Sequence, residues 1–418
     1  MLRRSSVKPD PSGSRWTGSK GFIRLNIGCV TRHPYPTDQE IRVTKFARTL
    51  SSRGHEFYVF CPDKGTQAPY EYFMYGRIVR LRTRVKGGLG RFLVAPLPIN
   101  LIWVWWLLRR FRENSIDLVI VRDLRLALPV FLAARLRGIE AILDLGEHYP
   151  GMMEIIGKER LAHHFIRNQV LITWLEAVSV RMASVVWVVV DENKERLKEH
   201  SPRIEVISNY PIDQNTAREK VPVRPFRRDG DPINLVSLGL IDPIRGLDMA
   251  VDSLSILAGT LGNVRLLIYG DGPFRSALES RVKALKLNDR VVFGGWVPGE
   301  MRFEALRQGD IGLILHRICD LTQHTIPNKL FDYMSVGLPV VSTRLGPISR
   351  ILEAEQCGMV VDESPEGAAT GIKELIMDCR KRALYSENGY RAAQVRYRWT
   401  CEEKKILRDI GSLTGKAC

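Results

Sequence analysis

The chain has 418 residues, 45% of them hydrophobic, and its 62 Lys and Arg outnumber 46 Asp and Glu to give a formal charge of +16. That length exceeds what one hydrophobic core usually serves, so two α/β or other globular domains are expected. Seven cysteines, scattered and never spaced C-x-x-C, argue for a reducing cytoplasm and against a zinc site or a disulfide framework.

The charge is uneven. Residues 1–228 hold 38 Lys and Arg against 22 Asp and Glu, while residues 229–418 hold 24 of each. Such asymmetry points the first half toward an anionic partner: a membrane surface, a phosphorylated substrate or a nucleic acid.

The opening MLRRSSVKPDPSGSRWTGSKG is basic but has no apolar run, so residues 1–20 read as a disordered tail and not as a signal peptide. From residue 21, FIRLNIGCV reads as a strand, QEIRVTKFARTLSSRG as a helix ending at Gly54 and EFYVFC as the next strand. FLVAPLPINLIWVWWLL, residues 92–108, is uncharged but too short and proline-broken to span a bilayer. After Pro98 it predicts a helix apolar all round. One reading is a buried core helix. The other is a monotopic patch, with Trp103, Trp105 and Trp106 at headgroup depth and Arg109 and Arg110 on anionic lipid.

DLVIV, ALPVFLAARLRG and EAILDLG repeat strand, helix, strand, as do SVVWVVV, DENKERLKEH and IEVISN. The first domain is thus placed at 21–222, ahead of a Pro- and Arg-rich linker at 223–232. The alternation restarts with INLVSLG and runs to PVVST, a second unit at 233–395. Strands separated by helices of this length imply βαβ units and parallel sheets. Ligands in such folds sit beyond the carboxyl ends of strands, and the expected pocket is the cleft between the domains.

YGDGPFR, residues 269–275, is a strand, a G-x-G turn and a helix start, but Arg275 holds the third glycine position of a dinucleotide fingerprint. A backbone approach to a ligand and a plain tight turn both fit it. No G-x-x-x-x-G-K-[ST], H-E-x-x-H or G-x-S-x-G occurs. Asp229 and Asp231 form a D-x-D, which in a polar linker reads as a solvated turn. In HTIPNKLFDYMSVGLPVVSTR, residues 324–344, Pro327 marks a helix start and leaves the first amides near Asn328 and Lys329 unpaired. A lysine there suits an anion, and Asp332 one turn later suits sugar hydroxyls. Side chains merely facing water fit equally.

These residues carry a resemblance to the family-four retaining glycosyltransferases, two-domain Rossmann-like enzymes of the GT-B fold. The second half resembles the family's donor domain through VSLG, RGLD, YGDGP, DRVVFGGWVP, GDIGLIL and PNKLFDYMSVGLPVVST. YRWTCEEKKILRDI, within 396–418, is similar to the family's closing helix, which crosses back to the first domain. SRGHEFYVF, LDLGEHYP and VISNYPID give weaker matches in the first half.

The resemblance implies a nucleoside diphosphate sugar donor, no metal and no other cofactor, and transfer with retention. It places the phosphate-binding cation at Arg245, a strand glycine at Gly239, a backbone turn at Gly270, and the base at Gly295 and Trp296. The donor diphosphate and sugar fall along Ile326 to Lys329, with Asn328 between, and the ribose at Asp332. Three departures stand out: His324 where a carboxylate is the rule, Leu240 where an arginine follows the strand glycine, and Gly146 where a histidine is usual. Lys329 is the expected replacement cation. Glu147, His148 and His324 are the expected catalytic residues. The basic first half is expected to bind an anionic, lipid-linked acceptor at the inner face of the plasma membrane, as in bacterial surface polysaccharide assembly. A soluble acceptor, a silent nucleotide-sugar-binding subunit and an epimerase are the rival readings, and nucleic acid lacks any accompanying motif.

Overall fold

The computed structural model describes residues 23–37, 40–63, 67–82, 95–156, 168–201, 203–212, 232–299 and 301–415. The tail at 1–20, the D-x-D, Phe92 to Val94 and all but the end of the linker lie outside the described residues.

In the first domain the strands are β1 (Asn26–Val30), β2 (Glu56–Pro62), β3 (Tyr70–Phe73), β4 (Gly76–Leu81), β5 (Leu118–Val121), β6 (Glu140–Leu145), β7 (Val185–Val188) and β8 (Ile204–Val206). Its helices are α1 (Ile41–Ser52), α2 (Leu101–Glu113), α3 (Ala127–Arg137), α4 (Tyr149–Ile156), α5 (Gln169–Met182) and α6 (Asp191–Leu197). The sheet order is β3-β4-β2-β1-β5-β6-β7-β8. Every pair is parallel except β3 with β4, a hairpin the sequence reading passed over. LVIV in β5 and VVWV in β7 are buried at every position, as strands covered on both faces must be.

The second domain holds β9 (Ile233–Leu238), β10 (Val264–Tyr269), β11 (Val291–Gly295), β12 (Ile311–Ile314), β13 (Val340–Thr343) and β14 (Gly358–Val361). Its helices are α7 (Leu247–Ala258), α8 (Arg275–Ala284), α9 (Arg302–Arg307), α10 (Asp320–Gln323), α11 (Lys329–Ser335), α12 (Gly346–Glu355), α13 (Pro365–Met377) and α14 (Cys379–Val395). The sheet is all parallel, in the order β11-β10-β9-β12-β13-β14. In each sheet the strand order reverses once, between β1 and β5 and between β9 and β12. Those reversals open crevices at the strand ends, where such folds bind ligands.

The last helix, α15 (Trp399–Thr414), returns to the first domain. Trp399, Ile406, Leu407 and Ile410 are buried there with Phe46 and Trp187. Their polar edges are matched too: Trp399 Nε1 donates to Thr49 Oγ1 at 2.8 Å and Trp187 Nε1 to Asp409 Oδ2 at 2.9 Å.

Helix α2 divides the tryptophans. Asn100 caps it, its side chain accepting from the Ile102 and Trp103 amides at 3.0 and 3.4 Å. Trp103 and Trp106, three residues apart, share the buried face with Leu107 and Phe111, and their rings meet edge to face at 5.5 Å. The membrane expectation is therefore corrected for these two, which are core residues. Trp105 turns the other way and is 64% exposed. Arg109 and Arg110 both pair with Glu113. Among the described residues no helix is long and apolar enough to cross a membrane.

Candidate active site

A cleft of about 340 Å³ lies between the domains, lined by Gly146, Glu147, Val189 and Asn209 from the first and by the β9 and β12 ends and the loop before α11 from the second. Of the strand-end glycines, Gly239 lines the cleft, and Gly270 and Gly295 stand behind it, outside the lining. Gly239, Gly270 and Gly295 follow or end β9, β10 and β11, and the Gly270 amide donates to the Gly295 carbonyl at 2.7 Å. Gly270 has φ of +148°, and a Cβ there would stand 1.8 Å from the Gly239 carbonyl oxygen. Only glycine lets these strand ends stack so closely.

The chain next makes a 3-10 turn, Pro243–Arg245, started by the Asp242 side chain accepting from the Ile244 amide at 3.1 Å. Gly246 ends it with φ of +62°, and a Cβ on it would meet the Leu315 carbonyl oxygen at 1.7 Å. This presses the turn onto the end of β12 and puts Arg245 beside His316, with Nη1 3.5 Å from Nε2. Burial lowers the Arg245 pKa, against the pull of Asp242 and Glu147. Its Nε has no partner among protein atoms. Lys329 reaches the same space. Burial, with Arg245 adding its charge, lowers the Lys329 pKa to about 7. His316 is driven well below its usual value by burial and then by Lys329 and Arg245, so its ring is neutral. Among the described residues the one acid lining the cleft is Glu147, whose pKa is raised by burial although Arg122 and Arg245 oppose this. Two cations against one reluctant acid make the cleft a place for an anion.

Of the residues expected from sequence, the cleft gathers Glu147, Gly239, Arg245, Ile326, Asn328 and Lys329, together with Leu240. Leu330 and Phe331 donate their amides to the Pro327 and Asn328 carbonyls at 3.1 and 3.0 Å, so those first-turn donors of α11 are already used. Asn328 accepts from Asn209 Nδ2 at 3.2 Å across the domains, and Lys45 holds Asn209 Oδ1 at 2.8 Å. Trp296 stands beyond the edge strand β11 and is 70% exposed. Asp332 is not in the cleft lining: it is buried, and Arg302 Nε contacts its Oδ1 at 3.2 Å.

His148 and His324 also turn from the cleft. They meet each other, with Asp320 between them: His148 Nε2 is 2.6 Å from Asp320 Oδ2, and His324 Nδ1 is 3.0 Å from Asp320 Oδ1. A carboxylate one turn before His324 therefore accompanies the histidine that replaces one. Gly146 lies against the Arg122 guanidinium, where a Cβ would be 2.5 Å from Nη1. A side chain at this position requires the guanidinium to shift. Sequence reasoning missed His316, Asp320 and Arg122. The rule about strand ends reaches His316 in IGLILH, and the D-x-x-x-H spacing marks Asp320. Nothing local marks Arg122.

Two family models match the chain in succession: "Glycosyltransferase Family 4" over residues 39–210 and "Glycosyl transferases group 1" over residues 232–378. A putative colanic acid biosynthesis glycosyltransferase, WcaL of Escherichia coli, is 28% identical over 142 residues. That match takes in 34% of this chain and 35% of the relative, so the chain spans about a third of its length. Alpha-D-kanosaminyltransferase of Streptomyces kanamyceticus is 22% identical over 366 residues, 80% of this chain and 92% of the relative. Among solved structures, sucrose-phosphate synthase from Thermosynechococcus elongatus superposes with a TM-score of 0.72 at 16% identity, covering 94% of this chain and 100% of the other. HepE from Anabaena, solved with UDP and glucose, gives 0.67 at 15% identity over 93% and 100%. With both halves of the family matched in order, and a fold shared with solved GT-B glycosyltransferases, the chain belongs to the group 1, family-four glycosyltransferases of the GT-B fold.

Proposed function

We propose that the protein transfers a sugar from a nucleoside diphosphate sugar, with retention and without a metal in the transfer step, to a lipid-linked acceptor in surface polysaccharide assembly. The observation that carries this is the convergence of Arg245 and Lys329 in one interdomain cleft faced by a single acid. As the glycosidic bond breaks, charge gathers on the leaving diphosphate, and two desolvated cations stabilise it more than they stabilise the intact donor. Same-side attack lets the departing phosphate accept the acceptor's proton. In this scheme Glu147, which lines the cleft from the first domain, orients the acceptor hydroxyl. HepE bound to UDP and glucose supports a uridine diphosphate donor, and the WcaL match supports polysaccharide assembly. Thermal-shift titration with a panel of nucleoside diphosphates and their sugars is the test. Stabilisation by a matching sugar nucleotide, with slow release of free sugar, supports an active transferase. Binding with no sugar release favours the silent subunit.

The membrane side of the proposal rests on one face of the first domain. α2 packs on α3, and α3 touches α5, in a single layer. That layer exposes Leu101 and Trp105 on α2, Leu136 on α3, and Val170 and Trp174 on α5. Tryptophans among arginines on an unpaired apolar face suit the headgroup level of an anionic bilayer. Replacing Trp105 with serine is expected to lower the fraction floating with anionic vesicles severalfold while leaving nucleotide binding unchanged. No flotation by the unaltered chain would turn the assignment to a soluble acceptor.

A further inference from the structure

Beyond the cleft rim the two domains meet at three side chains that the anion site does not use. His148 lies just ahead of α4, and Asp320 and His324 bracket α10. Asp320 and His324 are one helical turn apart, a spacing that places two side chains on the same face. The two imidazole rings lie 4.8 Å apart, and one donor atom from each of the three residues falls within 4.8 Å of the others. The approach is built into the backbone. A Cβ on Gly151 of α4 would stand 2.6 Å from His148 Cδ2 and 2.7 Å from the Leu321 amide nitrogen, so a side chain there would force the two helices apart. His148 is buried, and its Nδ1 has no partner among protein atoms, so nothing on that side ties the ring's proton to one nitrogen.

We propose that His148, Asp320 and His324 bind a divalent transition ion of the zinc, cobalt or nickel type, and that this ion ties the two domains together. Two imidazoles and a carboxylate form a donor set suited to these ions and poor for magnesium or calcium, which prefer oxygen throughout. With bonds of about 2.1 Å, a tetrahedral ion needs donors roughly 3.4 Å apart. The present contacts of 2.6 and 3.0 Å open to that spacing by small side-chain rotations, the ion replacing the proton between His148 and Asp320 and the one His324 Nδ1 now donates to the Asp320 main-chain carbonyl at 3.0 Å. A cavity of about 320 Å³, lined by His148, Asp320, Glu176, Arg196 and His200, adjoins two of the three and leaves room for a water on the open position. Because one ligand comes from the first domain and two from the second, the ion binds only when the domains are apposed. It therefore stabilises the closed arrangement by mass action and opposes release from the cleft. The ion is no part of the transfer chemistry, and the site stands whether or not the donor assignment holds.

Titration of the full-length chain with Co²⁺, followed by visible ligand-field absorption, tests this directly. The expected result is saturable binding of a single Co²⁺ per chain, displaced by Zn²⁺, and a rise in melting temperature with Zn²⁺. Asp320→Asn and His324→Ala should each weaken Co²⁺ binding by about tenfold or more. His200→Ala, in the same cavity but outside the ligand set, should not. Absence of saturable binding by the unaltered chain overturns the proposal, as does a His324→Ala or Asp320→Asn variant that binds Co²⁺ as the unaltered chain does.

Discussion

Lys329→Ala should weaken nucleoside diphosphate binding about a hundredfold near pH 7, roughly 3 kcal/mol, the usual scale for removing one partner of a buried charge pair. The loss should also carry a pH signature. In the free protein, burial and Arg245 hold the Lys329 pKa at about 7, against an ordinary value of 10.5. A bound diphosphate favours the ammonium form and raises that pKa, so binding above pH 7 takes up a proton. Affinity is then flat below about pH 7 and falls as pH rises, approaching tenfold per unit, the limit for a single coupled proton. Isothermal titration in buffers of different ionisation enthalpy reads the proton directly. Lys329→Met should bind weakly and with no such slope, whereas Arg245→Ala should weaken binding and keep the slope, moved to higher pH because Lys329 loses a repelling charge. The same shift acts on stability without ligand. Between pH 7 and 10.5 the unfolded chain holds the Lys329 proton and the folded chain does not, so the folded state gains stability as pH rises through that window. Lys45, also lowered to about 7 by burial, contributes in the same sense and remains in the variant. Equal affinity of Lys329→Met and the unaltered chain across pH 6 to 9 would falsify the assignment of Lys329 as the replacement cation.

Why the cleft was legible while its neighbours were not follows from what each depends on. Gly239, Arg245 and Lys329 sit at strand ends or helix starts, which hydrophobic runs and turn residues locate in sequence, and parallel sheets bring such ends together. The phase of α2 could be read in the same way: residues 103, 106, 107 and 111 fall on one face and 101, 105 and 109 on the other. β3 was missed because YEYF is almost wholly exposed and short, so no buried alternation announces it. That Arg302 holds Asp332 could not be read, because this partner is thirty residues away and belongs to another helix. His148 and Asp320 lie 172 positions apart and meet only through domain docking. Contacts made by docking leave no periodic trace in a single sequence.

Gly146 is the departure that the structure explains most directly, and restoring the family's histidine should fail. The Arg122 guanidinium that fills the space has few alternatives: its Nε is 3.4 Å from Asp144 Oδ2 and 3.9 Å from Glu40 Oε2, and its side chain is only 13% exposed. Asp144 is itself locked, with Arg42 Nε at 2.9 Å and Nη2 at 2.7 Å. A histidine at 146 must therefore either displace a paired guanidinium or push the β6 end away from the sheet. Overpacking of this kind costs about 1–3 kcal/mol, and unpairing the arginine adds to it. Gly146→His is expected to lower urea-unfolding stability by about 3 kcal/mol and to give no gain in transfer. Arg122→Ala alone should also destabilise, because Glu40 loses its cation. The double variant should be more stable than the sum of the two losses by about 1–2 kcal/mol, since removing the guanidinium makes room for the imidazole. Additive losses would mean that the two residues do not compete for one space. Recovery of sugar release in the double variant alone would show that Arg122 now occupies the position from which the family's histidine works.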